Sequence, residues 1–76
     1  MDDYEKKYTV GDLVVILYDC WLHSFEGSVF VRRGDLGIVI GKREDPFKYK
    51  PLEIFTSTGD QGWVYVSNIK VLEKTS

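Results

Sequence analysis

The chain has 76 residues, a net charge of −2 and a hydrophobic content of 43%, which suits one small domain with a thin core. A single cysteine excludes an intramolecular disulfide, and the sequence lacks a Cys/His set for a zinc site. No charged leader with an apolar run follows Met1, and no apolar run approaches the length of about 20 residues that a membrane-spanning helix needs. We therefore expect a soluble cytoplasmic protein without metal or cofactor.

Runs of β-branched and aromatic residues, separated by Gly, Asp, Ser and Asn, predict a succession of short strands. In chain order these strands occupy TVGDLVVILYD, VFVRRGD, LGIVIGKR, LEIFTS, GWVYV and SNIKVL. The first run shows no clean alternation of apolar and polar residues. The stretch CWLHSFEGS, after the first run, predicts a long and partly ordered loop. Residues 1–8 and 74–76 are expected to be tails that flank a folded unit over residues 9–73.

The fold class follows from the number and length of these strands. In LEIFTS, Leu52, Ile54 and Thr56 are expected to face one side of the sheet, with the residues between them on the other. No stretch has the period of an amphipathic helix. Because so few residues cannot build two full sheets, the sequence predicts an all-β fold in the form of a small five-stranded barrel.

One short motif occurs twice. Gly-Asp-Leu followed by an apolar run begins at Gly11 and again at Gly34, 23 residues later. Glycine adopts backbone angles that other residues avoid, and an aspartate carboxylate accepts hydrogen bonds from nearby backbone N–H groups. We therefore expect both strands to begin from the same kind of turn.

Three stretches resemble the Src-homology-3 (SH3) barrel family. LYD at 17–19 is similar to the family's A-L-Y-D-Y motif, RRGD at 32–35 to its diverging turn, and GWVYVSN at 62–68 to the strand that precedes P-S-N-Y, with one extra residue. The resemblance covers residues 10 to 72. It implies an SH3-like barrel that works by binding.

The sequence departs from that family where proline-rich ligands are bound. The second tyrosine of the first motif is Cys20, the tryptophan position falls near Leu52, and the Pro and Tyr of the last motif are Val66 and Ile69. A polyproline ligand needs aromatic ridges, so binding of PxxP ligands is not expected. The motifs GDLVVI, GDLGIVIG and GWVYVSNIKVLE also resemble KOW modules and small SH3-like proteins of bacteriophages, and a shared fold does not assign function.

Exposed aromatic residues suggest a protein-binding surface. Alternation places Trp63 and Tyr65 on the outer face of their strand, at least half exposed if Val64 and Val66 point inward. Trp21 and Phe25 either extend that surface or cap one open end of the barrel. The leading hypothesis is a protein-interaction module, such as a phage-type accessory protein acting on a host factor, with a face made of Tyr18, Trp21, Phe25, Trp63 and Tyr65.

The alternative hypothesis is a KOW-like nucleic-acid-binding domain. Residues 32–50 carry six basic and three acidic residues, against an acidic remainder. The stretch KREDPFKYKP at 42–51 is either a phosphate- and base-contacting loop or the solvated tip of a hairpin. The residues proposed for nucleic-acid binding are Arg32, Arg33, Lys42, Arg43, Phe47, Lys48, Tyr49 and Lys50. The net negative charge favours the hairpin interpretation.

Enzymatic activity is not expected. Cys20 and His23 are the one pair that could support nucleophilic catalysis, and no third group or oxyanion site accompanies them. Cys20 is more simply interpreted as a small core residue.

Overall fold

The computed structural model describes residues 8–43 and 51–74. The strands in these ranges are β1 (Leu13–Ile16), β2 (Cys20–Ser24), β3 (Gly27–Val31), β4 (Leu36–Lys42), β5 (Leu52–Thr56), β6 (Gln61–Val64) and β7 (Ile69–Glu73). One 3-10 turn, Val66–Asn68, precedes β7. None of the described residues forms a helix with the length and apolar character needed to cross a bilayer. The all-β prediction is confirmed.

All seven strands belong to one antiparallel sheet, in the order β3-β2-β6-β5-β4-β1-β7. The prediction of five strands is therefore wrong in number. No pairing joins β3 to β7 within the described residues, so the sheet is not closed by hydrogen bonds. Leu22 and Val31, near one edge of the sheet, belong to the same buried cluster as Val14 and Ile69, near the other edge. The sheet must therefore curl to bring its two edges to one core.

The β2–β3 hairpin is the largest departure from the sequence prediction. The stretch predicted as a long loop is a regular five-residue ladder, from Cys20 opposite Val31 to Ser24 opposite Gly27. Leu22 is fully buried while Trp21 is 54% exposed, so the alternation of a half-buried strand is present. It was missed because Leu22 is the only fully buried side chain of β2 among polar and exposed neighbours.

Burial elsewhere follows the two-residue period. In β5, Leu52, Ile54 and Thr56 are buried, as predicted. In β1, Val14 and Ile16 are buried while Leu13 and Val15 are partly exposed, so this strand alternates although its composition suggested otherwise. The remaining core side chains are Tyr8, Leu22, Val31, Val39, Val64 and Ile69. Tyr8, in the predicted N-terminal tail, is thus part of the core.

The two Gly-Asp-Leu motifs form the same turn, as predicted. The Asp12 carboxylate accepts a hydrogen bond from the Thr9 N–H (2.8 Å), and the Asp35 carboxylate accepts one from the Arg32 N–H (3.0 Å). The Asp12 N–H donates in turn to the Thr9 carbonyl, and the Asp35 N–H to the Arg32 carbonyl. The glycines before them, Gly11 and Gly34, have φ of 104° and 95°.

These turns also join the two strands that follow them. The Gly11 N–H donates to the carbonyl of Val39 at 2.7 Å, and the Gly34 N–H donates to the carbonyl of Ile16 at 2.8 Å. The β1–β4 pair therefore has a local two-fold axis. Each turn is hydrogen-bonded to the other strand, Gly11 to the middle of β4 and Gly34 to the last residue of β1.

Candidate functional site

An open groove of about 720 Å³ lies where β2, β5 and β6 adjoin. Its floor is one cross-strand row on the outer face of the sheet, in which His23 lies opposite Trp63 and Trp63 opposite Glu53. The side chains that complete its walls are Ser24, Phe25, Glu26, Arg43, Pro51, Gln61, Val64 and Tyr65. The groove therefore has an aromatic floor with charged walls.

Trp63 is the centre of the floor. The Arg43 guanidinium carbon lies 5.1 Å from the centre of its ring, a cation–π contact. At its far edge the ring lies over β4, since a Cβ built on Gly41 would be 3.9 Å from Trp63 Cη2. These neighbours leave Trp63 only partly exposed, so the prediction of at least half exposure was wrong for Trp63. The side chain of Tyr65 is 45% exposed, which is also below half, although close to it.

Phe25 forms the tip of the wall contributed by the β2–β3 hairpin, and its side chain is fully exposed. The tip is held by the Ser24 hydroxyl, which donates to the Gly27 carbonyl at 2.9 Å and accepts from the Glu26 N–H at 3.2 Å. Such hydroxyl-to-backbone bonds fix a tight turn. Phe25 therefore projects from an ordered tip without packing on the core.

The polar side chains of the floor and the walls are also ordered. The Gln61 amide nitrogen donates to Glu53 Oε2 at 2.9 Å, and His23 Nδ1 lies 3.2 Å from the Ser28 hydroxyl. The Arg43 N–H donates to the Pro51 carbonyl at 3.2 Å. These bonds give the groove a defined shape, and Glu53 and Arg43 add opposite charges beside the Trp63 ring.

The structure brings together three of the five predicted protein-binding residues, Phe25, Trp63 and Tyr65. Trp21 lies two residues from His23 on the same face of β2, and its ring packs edge-on against Phe30 at 5.2 Å. Trp21 and Phe25 are both exposed, so neither is buried as a cap of the core. Tyr18 is 62% exposed in the β1–β2 connection and does not line the groove.

Sequence reasoning missed the polar members of the groove, above all Glu53 and Gln61. The alternation of β5 does predict that Glu53 faces outward, so its exposure on the outer face could have been predicted. That Glu53 lies beside Trp63 and Gln61 could not be predicted without the pairing register of β5 and β6.

The residues predicted to contact nucleic acid fall into separate places. Arg32 and Arg33 are exposed in the turn before β4, whereas Lys42 and Arg43 lie at its other end. A strand of seven residues is about 23 Å long. The Lys42 ammonium donates to the Tyr8 carbonyl at 3.0 Å. The other four predicted contacts, Phe47, Lys48, Tyr49 and Lys50, lie outside the described residues.

Cys20 and His23 do not face each other. They are separated by three positions in β2, and Cys20 packs toward the core while His23 is exposed, so the strand period places them on opposite faces. Burial raises the pKa of the Cys20 thiol above its ordinary value, an effect that Asn68 opposes by hydrogen bonding and Asp19 reinforces by its charge. A nucleophilic thiol needs a shift in the opposite direction.

The alkylation of Cys20 provides a test of this environment. Because the thiolate is the reactive form, iodoacetamide at pH 8 should modify folded protein more slowly than protein unfolded in urea. The folded rate should still be rising with pH after the unfolded rate has levelled off. The measurement is the mass increase with time, which the single cysteine makes unambiguous. A folded rate that matched or exceeded the unfolded rate would contradict a raised pKa.

A scan against protein-family models, a search of curated proteins and a search of solved structures each gave no match.

Proposed function

We propose that this chain is a non-enzymatic protein-interaction module with an SH3-like barrel, and that it binds a short extended segment of a partner protein in the groove over Trp63. The observation that carries the proposal is the fully exposed Phe25 held over an aromatic groove by an ordered turn. Exposed aromatic rings that lose their water on association supply much of the energy of protein interfaces.

The groove also suggests how a partner would be chosen. Trp63 and Tyr65 offer apolar surface, while Arg43 on one wall and Glu53 on the floor offer opposite charges. A bound segment would place an apolar side chain between Phe25 and Trp63 and polar groups toward the walls. Polyproline ligands remain disfavoured, because Leu52 and Ile69, at two of the family's ridge positions, are buried in the core.

Replacement of Phe25 by serine tests this proposal without disturbing the fold. Because the side chain has no contact with the core, the melting temperature should stay within about 2 °C of wild type. Peptides selected from a random phage-displayed library on the wild-type protein should bind the variant about 10-fold or more weakly. Fluorescence anisotropy with the labelled peptides gives the affinities.

Tyr18→Ser is the matched control, since it removes an exposed aromatic ring outside the groove. Its affinity for the same peptides should equal that of wild type. A library that yields no binder, or binders that lose affinity with Tyr18→Ser and not with Phe25→Ser, would reject the groove as the site.

The alternative proposal is a KOW-like nucleic-acid binder. The stack of Arg43 on Trp63 beside Tyr65 resembles the platforms that single-stranded nucleic acids use. Binding of this kind weakens with salt, by a log–log slope of about −0.7 to −0.9 per phosphate contact. Titration with mixed-sequence oligonucleotides at low and moderate salt therefore separates it from peptide binding.

A further inference from the structure

A second surface, distinct from the groove, covers the outer face of β1, β4 and β5. We define it as the outer apolar patch, and its members are Leu13, Val15, Leu36, Ile38, Ile40 and Phe55. Leu36 and Phe55 are 40% and 46% exposed, whereas their strand neighbours Gly37, Val39 and Ile54 are buried. The patch therefore lies on the face of the sheet that does not contact the core.

The strand register makes the patch continuous. Leu13 lies opposite Ile38, and Ile38 lies opposite Phe55, so three apolar side chains follow one another across three strands. Val15 lies opposite Leu36 in the parallel row one step away. Directly opposed side chains on one face of an antiparallel pair are in contact distance, and no charged residue separates the two rows.

Two opposite charges flank the patch along β7. Lys70 lies beside Val15 at the end of one row, and Glu73 lies beside Leu13 at the end of the other. Both are exposed, and neither forms an ion pair within residues 8–43 and 51–74. The cation and the anion therefore border the two apolar rows without a partner in the described part of the same chain.

We propose that the outer apolar patch is the interface of a symmetric homodimer. The two copies would be related by a two-fold axis in the plane of the patch. This axis runs perpendicular to the strands and passes between the two rows. It places the row of Val15 and Leu36 over the row of Leu13 and Ile38 of the second copy, and Lys70 over Glu73 of the second copy. Over β1, β4 and β7 the patch is thus complementary to itself in its apolar pairs and in charge, as an isologous interface requires.

The size of the patch indicates a weak dimer. If a fully exposed side chain of this size offers about 150–200 Å², the six members expose roughly 350 Å² per copy, within the range of the largest patches on monomers. With its polar rim, the interface would bury on the order of 1,000–1,200 Å² in total, at the lower end of specific interfaces. We therefore expect weak association that depends on protein concentration.

Sedimentation equilibrium of the full chain from 10 μM to 1 mM tests the dimer. The mean mass should rise from the 8.8 kDa of one chain toward twice that value. Ile38→Gln places an amide at the centre of the patch, on the exposed face of β4, and should weaken association about 10-fold or more. A far-ultraviolet circular dichroism melt would verify that each variant is folded.

Charge exchange gives the sharper test. Lys70→Glu and Glu73→Lys each convert two attractive contacts of the dimer into repulsive ones and should weaken association about 10-fold. The double variant K70E/E73K restores both contacts and should associate like wild type. Phe25→Ser, outside the patch, should leave the mass profile unchanged, which separates this proposal from the groove.

Three results would overturn the proposal. They are a mass of one chain at 1 mM, a dimer that is insensitive to Ile38→Gln, and a double charge variant that associates no better than the single ones.

Discussion

Replacing Gly62 with alanine is expected to lower the free energy of unfolding by about 3 kcal/mol. Gly62 is buried in β6, where β2 comes closest to it. A Cβ at this position would lie 2.8 Å from Leu22 Cβ, 3.0 Å from the His23 carbonyl oxygen and 3.2 Å from the His23 nitrogen. Two of these three atoms belong to the backbone, so no side-chain rotation can relieve the contact and the strands must separate.

The loss would be a large share of the stability of a chain of this length, which is about 4–11 kcal/mol. Thermal unfolding should show a decrease of roughly 10–20 °C in melting temperature. Since His23 opposite Trp63 is the register contact between β2 and β6, separation of these strands also displaces Phe25 from Trp63. Peptide affinity should therefore fall together with stability.

Gly59→Ala is the control for this prediction. Gly59 has a φ of 93° and no atom within 4 Å of a built Cβ, so alanine there costs only backbone strain, about 1 kcal/mol. Gly62 has ordinary backbone angles, so its cost is one of space. If the two variants unfolded at the same temperature, the close approach of β2 to β6 would be refuted.

The second large effect is expected at Asp12. Its side chain is fully buried, accepts the Thr9 N–H at 2.8 Å and receives the Lys74 ammonium at 3.0 Å. Asp12→Ala removes an acceptor from both donors. Lys74 is 43% exposed and returns to water, whereas Thr9 is only partly exposed. We expect a loss of about 2–3 kcal/mol in urea unfolding.

Asp35→Ala is a control provided by the local two-fold axis. Asp35 forms the same turn with Arg32, but it is only partly buried and its turn is exposed. Its replacement should cost about 1 kcal/mol, the value of one hydrogen bond. Equal losses for the two aspartates would show that the turn alone, and not burial with Lys74, accounts for the effect.

The features predicted correctly from sequence are those determined by residues close together in the chain. Gly-Asp-Leu specifies its turn locally, through a glycine with positive φ and a carboxylate that reaches back three residues. The alternation of Leu52, Ile54 and Thr56 needs no knowledge of the neighbouring strands. The β2–β3 hairpin was missed because the burial of Leu22, the only fully buried side chain of β2, depends on the distant β6, where Gly62 occupies a position with no room for a side chain against Leu22.

The candidate site was predicted as a set of residue types without their arrangement. Exposed aromatics on alternating positions identified Phe25, Trp63 and Tyr65, which the structure places around one groove. Tyr18 shares their chemistry and lies elsewhere, a distinction that depends on strand order. The partial cover of Trp63 by Arg43 joins residues 20 positions apart, which no local pattern reports.

The local two-fold axis separates the strands that stabilise the fold from the hairpin that forms one wall of the groove. The segments Gly11–Ile16 and Gly34–Val39 are hydrogen-bonded to each other at both ends. The β2–β3 hairpin lies between these two segments in the sequence. The hairpin enters the core through Leu22 and Val31, but its tip at Phe25 and Glu26 is exposed. Under the proposed function, changes of sequence or length at that tip would alter the choice of partner while the hydrogen-bonded strands keep their stability, so that this loop could diverge.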